Sequence, residues 1–256
     1  MNKPLILVTN DDGITARGIA SLVEAVKSFG DLVVIAPDKP QSGMGHAITV
    51  NNLLRLDKAE VFAGTDCYAC SGTPVDCVKL AIYHVMHRKP DLVVSGVNHG
   101  SNASTNVLYS GTMSAAVEGA LEGIPAIGFS LCDHRGEADF EASKQVIKKV
   151  VTTVLDKKLP ENVCLNVNIP KGKPGDIKGL KICRQAKAFW DDKFDRRQDM
   201  FGRDYFWLTG EFRNYDGGED TDIWALNNNY VSVVPIQFDM TAYHALSHLH
   251  YWNNIE

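Results

Sequence analysis

The stretch Leu5-Ile6-Leu7-Val8-Thr9-Asn10-Asp11-Asp12-Gly13 sets an unbroken apolar run directly against two adjacent carboxylates. A short run without polar alternation suits a strand buried on both faces, as in a parallel sheet. The carboxyl edge of such a sheet is where open α/β folds bind their ligands. Asp11 and Asp12 repel one another at that edge, and a bound cation is the simplest relief, so the pair reads as a metal site. A polar turn with Asp12 capping the following helix accounts for the same residues.

Outward from this stretch the chain alternates between helix and strand patterns. Residues 19–29 predict a helix with Leu22, Val23 and Val26 on one face. Leu32-Val33-Val34-Ile35-Ala36 predicts a second buried strand, which Pro37 helps to end. Residues 47–57 and 61–70 read as shorter, less regular strands at an antiparallel edge. A helix is expected over 74–86, with Pro74 suited to its first turn. Strands follow over 91–95, 126–131 and 164–169, and helices over 112–121 and 141–155. This alternation predicts an α/β protein with a mostly parallel sheet and flanking helices.

The pattern changes after about Ala186. Residues 187–222 mix charges with Phe189-Trp190, Phe194, Tyr205-Phe206-Trp207, Phe212 and Tyr215. This predicts an extended C-terminal arm or hairpin. Amphipathic aromatic surface packs on partners, so the arm is expected to build a homo-oligomer. A hairpin folded back on its own subunit is the alternative. A short helix over 222–226, a strand over 231–235 and a terminal helix over 241–250 should complete the chain. The expected division is a core over 1–186 that carries the metal site. The arm, strand and terminal helix of 187–256 then continue the same domain.

At 256 residues, one large domain or a core with an extension is the natural size. The formal net charge of −5 argues against binding nucleic-acid polymers, which need a basic face. A small anionic substrate remains compatible, because one metal ion reverses the local field. No apolar stretch is long enough to span a bilayer, and residues 1–4 lead into a short strand-like run instead of a signal peptide. A cytoplasmic protein without a membrane partner is the expectation. Of the six cysteines, Cys67 and Cys70 form a lone C-x-x-C. A zinc site needs a second pair, and a redox pair opens a helix. Their spacing of three instead places them on opposite faces of a strand.

Three segments following buried strands carry polar oxygen groups that could meet at one sheet edge. They are Asn10-Asp11-Asp12, the segment 37–46 with Ser42 and His46, and Ser95-Gly96-Val97-Asn98-His99-Gly100-Ser101-Asn102, read as a loop. Small side chains there let a ligand approach the backbone. Carboxylate, hydroxyl and amide oxygens favour Mg, Mn or Ca over Zn or Cu. Ser110-Gly111-Thr112-Met113-Ser114 opens a helix, and free N–H groups at a helix start suit a phosphate. Metal ligands beside an anion pocket describe a metal-dependent phosphate site. An ordinary capped helix explains the last segment taken alone.

Other motifs fail. There is no G-x-x-x-x-G-K-[ST] loop, no G-x-G-x-x-G after the first strand, and no G-x-S-x-G around Ser42. His244 and His248 lack the intervening Glu of a zinc helix and read as surface or packing residues. A phospho-receiver needs an Asp ending its third parallel strand, where this chain has Ser95-Gly96.

The chain resembles the survival protein E (SurE) family of nucleotidases. The matching motifs are Val8-Thr9-Asn10-Asp11-Asp12-Gly13, Ala36-Pro37 through Gln41-Ser42-Gly43, and Ser71-Gly72-Thr73-Pro74-Val75-Asp76-Cys77-Val78. They continue with Ser95 through Asn102, Tyr109-Ser110-Gly111-Thr112-Met113-Ser114-Ala115-Ala116, and Thr221-Asp222 followed by Tyr230 through Gln237. The arm over 187–219 matches only in general character. The resemblance implies a Rossmann-like core binding one divalent metal ion per subunit, Mg or Mn, on Asp11, Asp12, Ser42 and Asn98. It implies hydrolysis of nucleoside 5′- and 3′-monophosphates, and in some members short polyphosphate, by a homodimer or homotetramer formed through the C-terminal region.

On this reading Asp11, Asp12 and Asn10 are the catalytic group, with Asn10 orienting an acid or the phosphate. Asn102, Ser110, Gly111, Thr112 and Ser114 hold the phosphate. The attacking group is water in preference to Asp11 or Asp12, because a metal-coordinated carboxylate is a weaker nucleophile. His46 and His99 lie near the site in sequence, without an assigned role. A non-catalytic nucleotide-binding or regulatory module is the competing class; it would need the anion pocket but no metal at the scissile bond.

Overall fold

The computed structural model describes residues 3–255. The main sheet has nine strands in the order β3-β4-β2-β1-β5-β6-β7-β11-β8. Their ranges are β1 Leu5–Thr9, β2 Asp31–Pro37, β3 Leu56–Lys58, β4 Asp66–Cys70, β5 Leu92–His99, β6 Ala126–Leu131, β7 Val163–Ile169, β8 Gly179–Ile182 and β11 Tyr230–Gln237. The run β4-β2-β1-β5-β6-β7 is parallel throughout. β3 and β11 pair antiparallel with β4 and β7. β9 Ala188–Gln198 and β10 Asp204–Asn214 form a separate antiparallel hairpin.

Helices cover both faces, which is why the central strands read as continuous apolar runs. On one face α1, Arg17–Val26, buries Ile19, Leu22, Val23 and Val26, and α4, Glu141–Lys157, buries Val146, Ile147, Val150, Val151 and Val154. They share one core cluster with Ile6, Val8, Leu92 and Val94. On the other face α2, Pro74–Leu80, and α3, Gly111–Leu121, pack Cys77, Val78, Met113, Ala115 and Ala116 against Leu7, Ile35 and Val93. Full burial of each large aliphatic side chain contributes about 1.5–3 kcal/mol. Cys67 and Cys70 fall in opposite clusters as free, buried thiols, as their spacing requires. Two short helices, α5 Asp222–Asn227 and α6 Tyr243–Leu249, flank β11.

Four local expectations need correction. Residues 47–55 form no strand, because no strand ladder reaches them: Ile48, Val50 and Leu53 are exposed, and Thr49 instead turns its N–H and hydroxyl onto the Asp76 carboxylate. The strand expected over 61–70 begins only at Asp66. The helix expected over 74–86 is α-helical only to Leu80, then widens into a π turn over Ala81–Val85. The segment from Ser95 is strand through His99, with its register against β6 shifting between Ser95 and Asn98. Gly96, at φ +119°, serves that irregularity: a Cβ there would lie 2.3 Å from the Phe129 carbonyl oxygen. Its smallness is required by the sheet itself.

The topology also places a crevice. β1 sits between β2 and β5, so the chain leaves it first to one side through α1 and later returns to the other side through α2. This is the strand-order switch point, where the carboxyl ends of adjacent strands open a ligand crevice. Asp11 and Asp12 follow β1, and Asn98 lies at the end of β5.

Candidate functional site

The turn after β1 is locked by its own residues. Asn10 donates through Nδ2 to the Gly13 carbonyl at 3.0 Å and accepts the Gly13 N–H at 3.2 Å. Its amide therefore shapes the turn that presents Asp11 and Asp12. Asp11 is 4 % exposed, and its Oδ1 accepts the Thr112 hydroxyl at 2.5 Å. A Cβ on Gly111 would fall 2.7 Å from the Asp11 Cβ and 3.0 Å from Oδ2, so only glycine lets α3 start against this carboxylate. Burial pushes the Asp11 carboxyl up to about 6; the Thr112 hydroxyl opposes this, and the Asp12 charge adds to it. Burial also raises Asp12, with His99 opposing. Asp12 Oδ2 is buried with no hydrogen-bond partner among the described residues.

The second segment is pinned from both sides. Gln41 N–H donates to the Asp11 carbonyl at 2.8 Å, and Gly45 N–H to the Tyr109 carbonyl at 3.2 Å. His46 Nε2 lies 2.9 Å from a carboxylate oxygen of Glu118, a buried α3 residue that also pairs with Lys79 at 2.5 Å. These contacts hold exposed Ser42 at the rim of the crevice. Asn98 donates through Nδ2 to the Gly100 carbonyl at 2.9 Å, which leaves its amide oxygen as the group for a cation.

Asn102 belongs to a buried polar network. Its Nδ2 donates to Ser130 Oγ at 2.8 Å, its N–H to Asn168 Oδ1 at 2.8 Å, and its carbonyl accepts from Asn166 at 2.8 Å. Ser110 caps α3 by accepting the Met113 N–H at 3.0 Å, and the Ser114 hydroxyl donates to the Ser110 carbonyl at 2.7 Å. Thr112 and Ser114 thus brace the carboxylate and the helix start.

Asp11, Ser42, Asn98, Asn102 and Ser110 line one cavity of about 960 Å³. Asn10, Asp12, Gly111, Thr112 and Ser114 are not among its lining residues. Among the described residues, no lysine or arginine lines it, and no group of three or more His, Cys, Asp or Glu gathers to hold a metal. The donors lining it are the Asp11 carboxylate with hydroxyl and amide oxygens, and Asp12 follows Asp11 directly in the chain. That set, with a buried unpartnered oxygen on Asp12, fits a hard divalent cation.

The cavity also takes residues that the sequence reading left without a role there. His99 and His134 line it, with Asn106, Tyr109, Phe189, Trp190 and Asp192. The aromatic pair at 189–190 was the available signal, but it read as arm surface alone.

Residues 6–192 match the profile of the family described as Survival protein SurE. The chain belongs to the SurE family. It is 64 % identical over 255 residues, 99 % of each chain, to a protein named 5′-nucleotidase SurE from Flavobacterium psychrophilum. It is 49 % identical over 242 residues, 94 % of this chain and 93 % of the relative, to the protein of the same name from Bacteroides thetaiotaomicron. Among solved structures, the SurE protein from Aquifex aeolicus superposes with a TM-score of 0.86 at 40 % identity, covering 98 % of this chain and 100 % of that one. The α/β architecture expected from the SurE resemblance is therefore the one this chain has.

Proposed function

We propose that this SurE-family chain is a metal-dependent phosphomonoesterase. It hydrolyses nucleoside 5′- and 3′-monophosphates to nucleoside and phosphate, and accepts short polyphosphate. The observation that carries the reading is the charge of the cavity. A buried carboxylate, Asp11, faces it beside Asp12, and no lysine or arginine lines it among the described residues. A phosphate dianion entering such a cavity needs a cation, and the donors for one are there. The relatives' name, 5′-nucleotidase, supplies the substrate class.

Asp11 and Asp12 would hold one Mg or Mn ion, with Ser42 and Asn98 completing the protein ligands. When bound, the ion supplies Lewis acidity at phosphoryl oxygens and lowers the pKa of water. The chain does the rest. Thr112 and Gly111 fix the Asp11 carboxylate, and Asn10 fixes the turn. Ser110, the N-cap of the 11-residue α3, lines the cavity, so the positive end of that helix would favour a phosphate there. Asn102, held by Ser130 and Asn168, has a fixed position for a phosphate oxygen. Water attacks in preference to either Asp, a choice that stereochemistry tests: inversion at phosphorus supports it, retention rejects it.

The arm is proposed to build a homodimer or homotetramer. Phe194, Phe206, Trp207 and Leu208 are 58–68 % exposed on the hairpin, and a partner would cover them. Light scattering of the purified chain tests this, and a monomer across the micromolar range rejects it. No helix among the described residues is long and apolar enough to cross a membrane; the cytoplasm is the proposed location. The nucleotidase reading is tested by phosphate release with wild-type protein and Asp11→Asn. Release by both at equal rates would reject the site.

A further inference from the structure

Phosphate chemistry accounts for only part of the cavity lining. The same cavity is also walled by Tyr109, Phe189 and Trp190, with Asn106 beside them. Neither a divalent ion nor a phosphate has use for an aromatic wall. Such a wall fits a flat, π-faced group attached to the phosphate ester.

Trp190 is the member of that wall held in place. Its indole Nε1–H donates to Asn106 Oδ1 at 2.9 Å. Phe212 packs against the ring at 64° and 5.7 Å between centroids, and the residue stays 47 % exposed. Phe189, by contrast, is stacked nearly flat on Tyr215, at 24° and 4.9 Å, so one of its faces is covered. A tryptophan held by its indole N–H and a packed neighbour is a ready stacking surface, because the ordering entropy has already been met in folding.

The chain also sets its distance from the phosphate end. Asn106 lies in the short 3-10 segment Ser104–Tyr109, with Asn102 before it and Ser110 after it. At about 2 Å rise per residue, a 3-10 turn keeps Asn106 within about 8 Å of Ser110, and its Nδ2 donates to the Ser101 carbonyl at 3.4 Å. The base of that segment is fixed too: the hydroxyls of Ser104 and Thr105 donate to the Ala188 carbonyl at 2.6 and 2.9 Å. Ala188 is two residues before Trp190. The arm and the phosphate-end segment are therefore tied together where the cavity needs both.

We infer that Trp190 is the nucleobase-stacking platform of this site and that Asn106 is its positioning residue. The inference rests on the nucleotidase reading above and gives the substrate's base a place. A stacked base recognises the π-face of purine or pyrimidine and tolerates changes at its edges. The hairpin would then contribute to substrate selection as well as to any assembly.

The test compares a nucleoside 5′-monophosphate with ribose 5-phosphate, which has the same ester and no base. Substitutions are Trp190→Ala and Trp190→Phe, assayed with saturating Mn. Loss of one stacking contact corresponds to about tenfold to a hundredfold in affinity. Trp190→Ala should raise KM for the nucleotide by about that factor, with kcat within twofold. Ribose 5-phosphate should be unaffected, and Trp190→Phe should recover most of the nucleotide KM. Equal losses on both substrates would mean a structural role and would overturn the inference, as would an unchanged nucleotide KM. Adenosine binding gives a readout that needs neither metal nor turnover. It should quench indole emission saturably in the wild type, and Trp190→Phe should lose that quench. An identical quench in both proteins would overturn the platform even if hydrolysis itself failed.

Discussion

Replacing Asp11 by Asn should make the metal-free protein more stable while removing the proposed metal site. In the fold Asp11 is 4 % exposed and its carboxyl is pushed from 3.8 up to about 6, mainly by burial. An acid whose pKa is raised by folding adds nothing unfavourable below about 4, where both states are protonated. The penalty grows as pH rises and is complete above about 6. A lift from 3.8 to about 6, at about 1.4 kcal/mol per pH unit, corresponds to about 3 kcal/mol. Asn keeps the oxygen that Thr112 bonds but must place an amide NH₂, so the net gain should lie at about 1–3 kcal/mol. Urea denaturation in chelator, at fixed protein concentration, measures it. At pH 8 the Asp11→Asn midpoint should lie above the wild type, and by pH 4 that advantage should be lost. Mn at about 100 times its Kd should then add about 2.7 kcal/mol to the wild type alone and cancel or reverse the ranking. If Asp11→Asn is less stable than the wild type at pH 8 without metal, the carboxylate is not the destabilising group argued here.

Three further outcomes follow from the same geometry. Metal affinity should fall about tenfold between pH 7 and pH 5, because the metal must displace the proton that Asp11 holds below about 6; calorimetric titration with Mn measures it. Gly111→Ala places a Cβ 2.7 Å from that of Asp11, and should destabilise by about 1–3 kcal/mol and weaken Mn binding, seen in denaturation and titration of one sample. Thr112→Val removes the hydroxyl that stabilises ionised Asp11, so the pH of half-maximal Mn binding should rise by about one unit.

Much of this was legible because apolar runs and doubly buried strands are a local signal. Leu5-Ile6-Leu7-Val8 and Leu32-Val33-Val34-Ile35 meet helices on both faces, so no polar residue interrupts them. β8, Gly179–Ile182, was not read because a four-residue edge strand whose apolar Leu180 and Ile182 are exposed carries no such signature. The stretch 47–55 has strand-like residues but no neighbouring strand, and propensity cannot supply one. At the site, Asp11, Ser42, Asn98, Asn102 and Ser110 could be picked out because each ends or follows a strand or opens a helix at the same sheet edge. Trp190 could not be placed there, because its partner Asn106 is 84 positions away and only the tertiary fold joins them. The supporting tasks of Thr112 and Ser114 were hidden for a related reason: a hydroxyl in a motif looks alike whether it faces a ligand or a neighbour.

Phosphate release from a panel of nucleoside 5′- and 3′-monophosphates, in Mn, in Mg and in chelator, bears most directly on the role given to Asp11 and Asp12. Turnover should appear with either ion, vanish in chelator and return when metal is restored. Undiminished turnover in chelator, from protein verified free of metal, would show that the paired carboxylates hold no catalytic cation. No turnover with any ion, from folded metal-loaded protein, would leave the cavity as a nucleotide-binding site without hydrolysis.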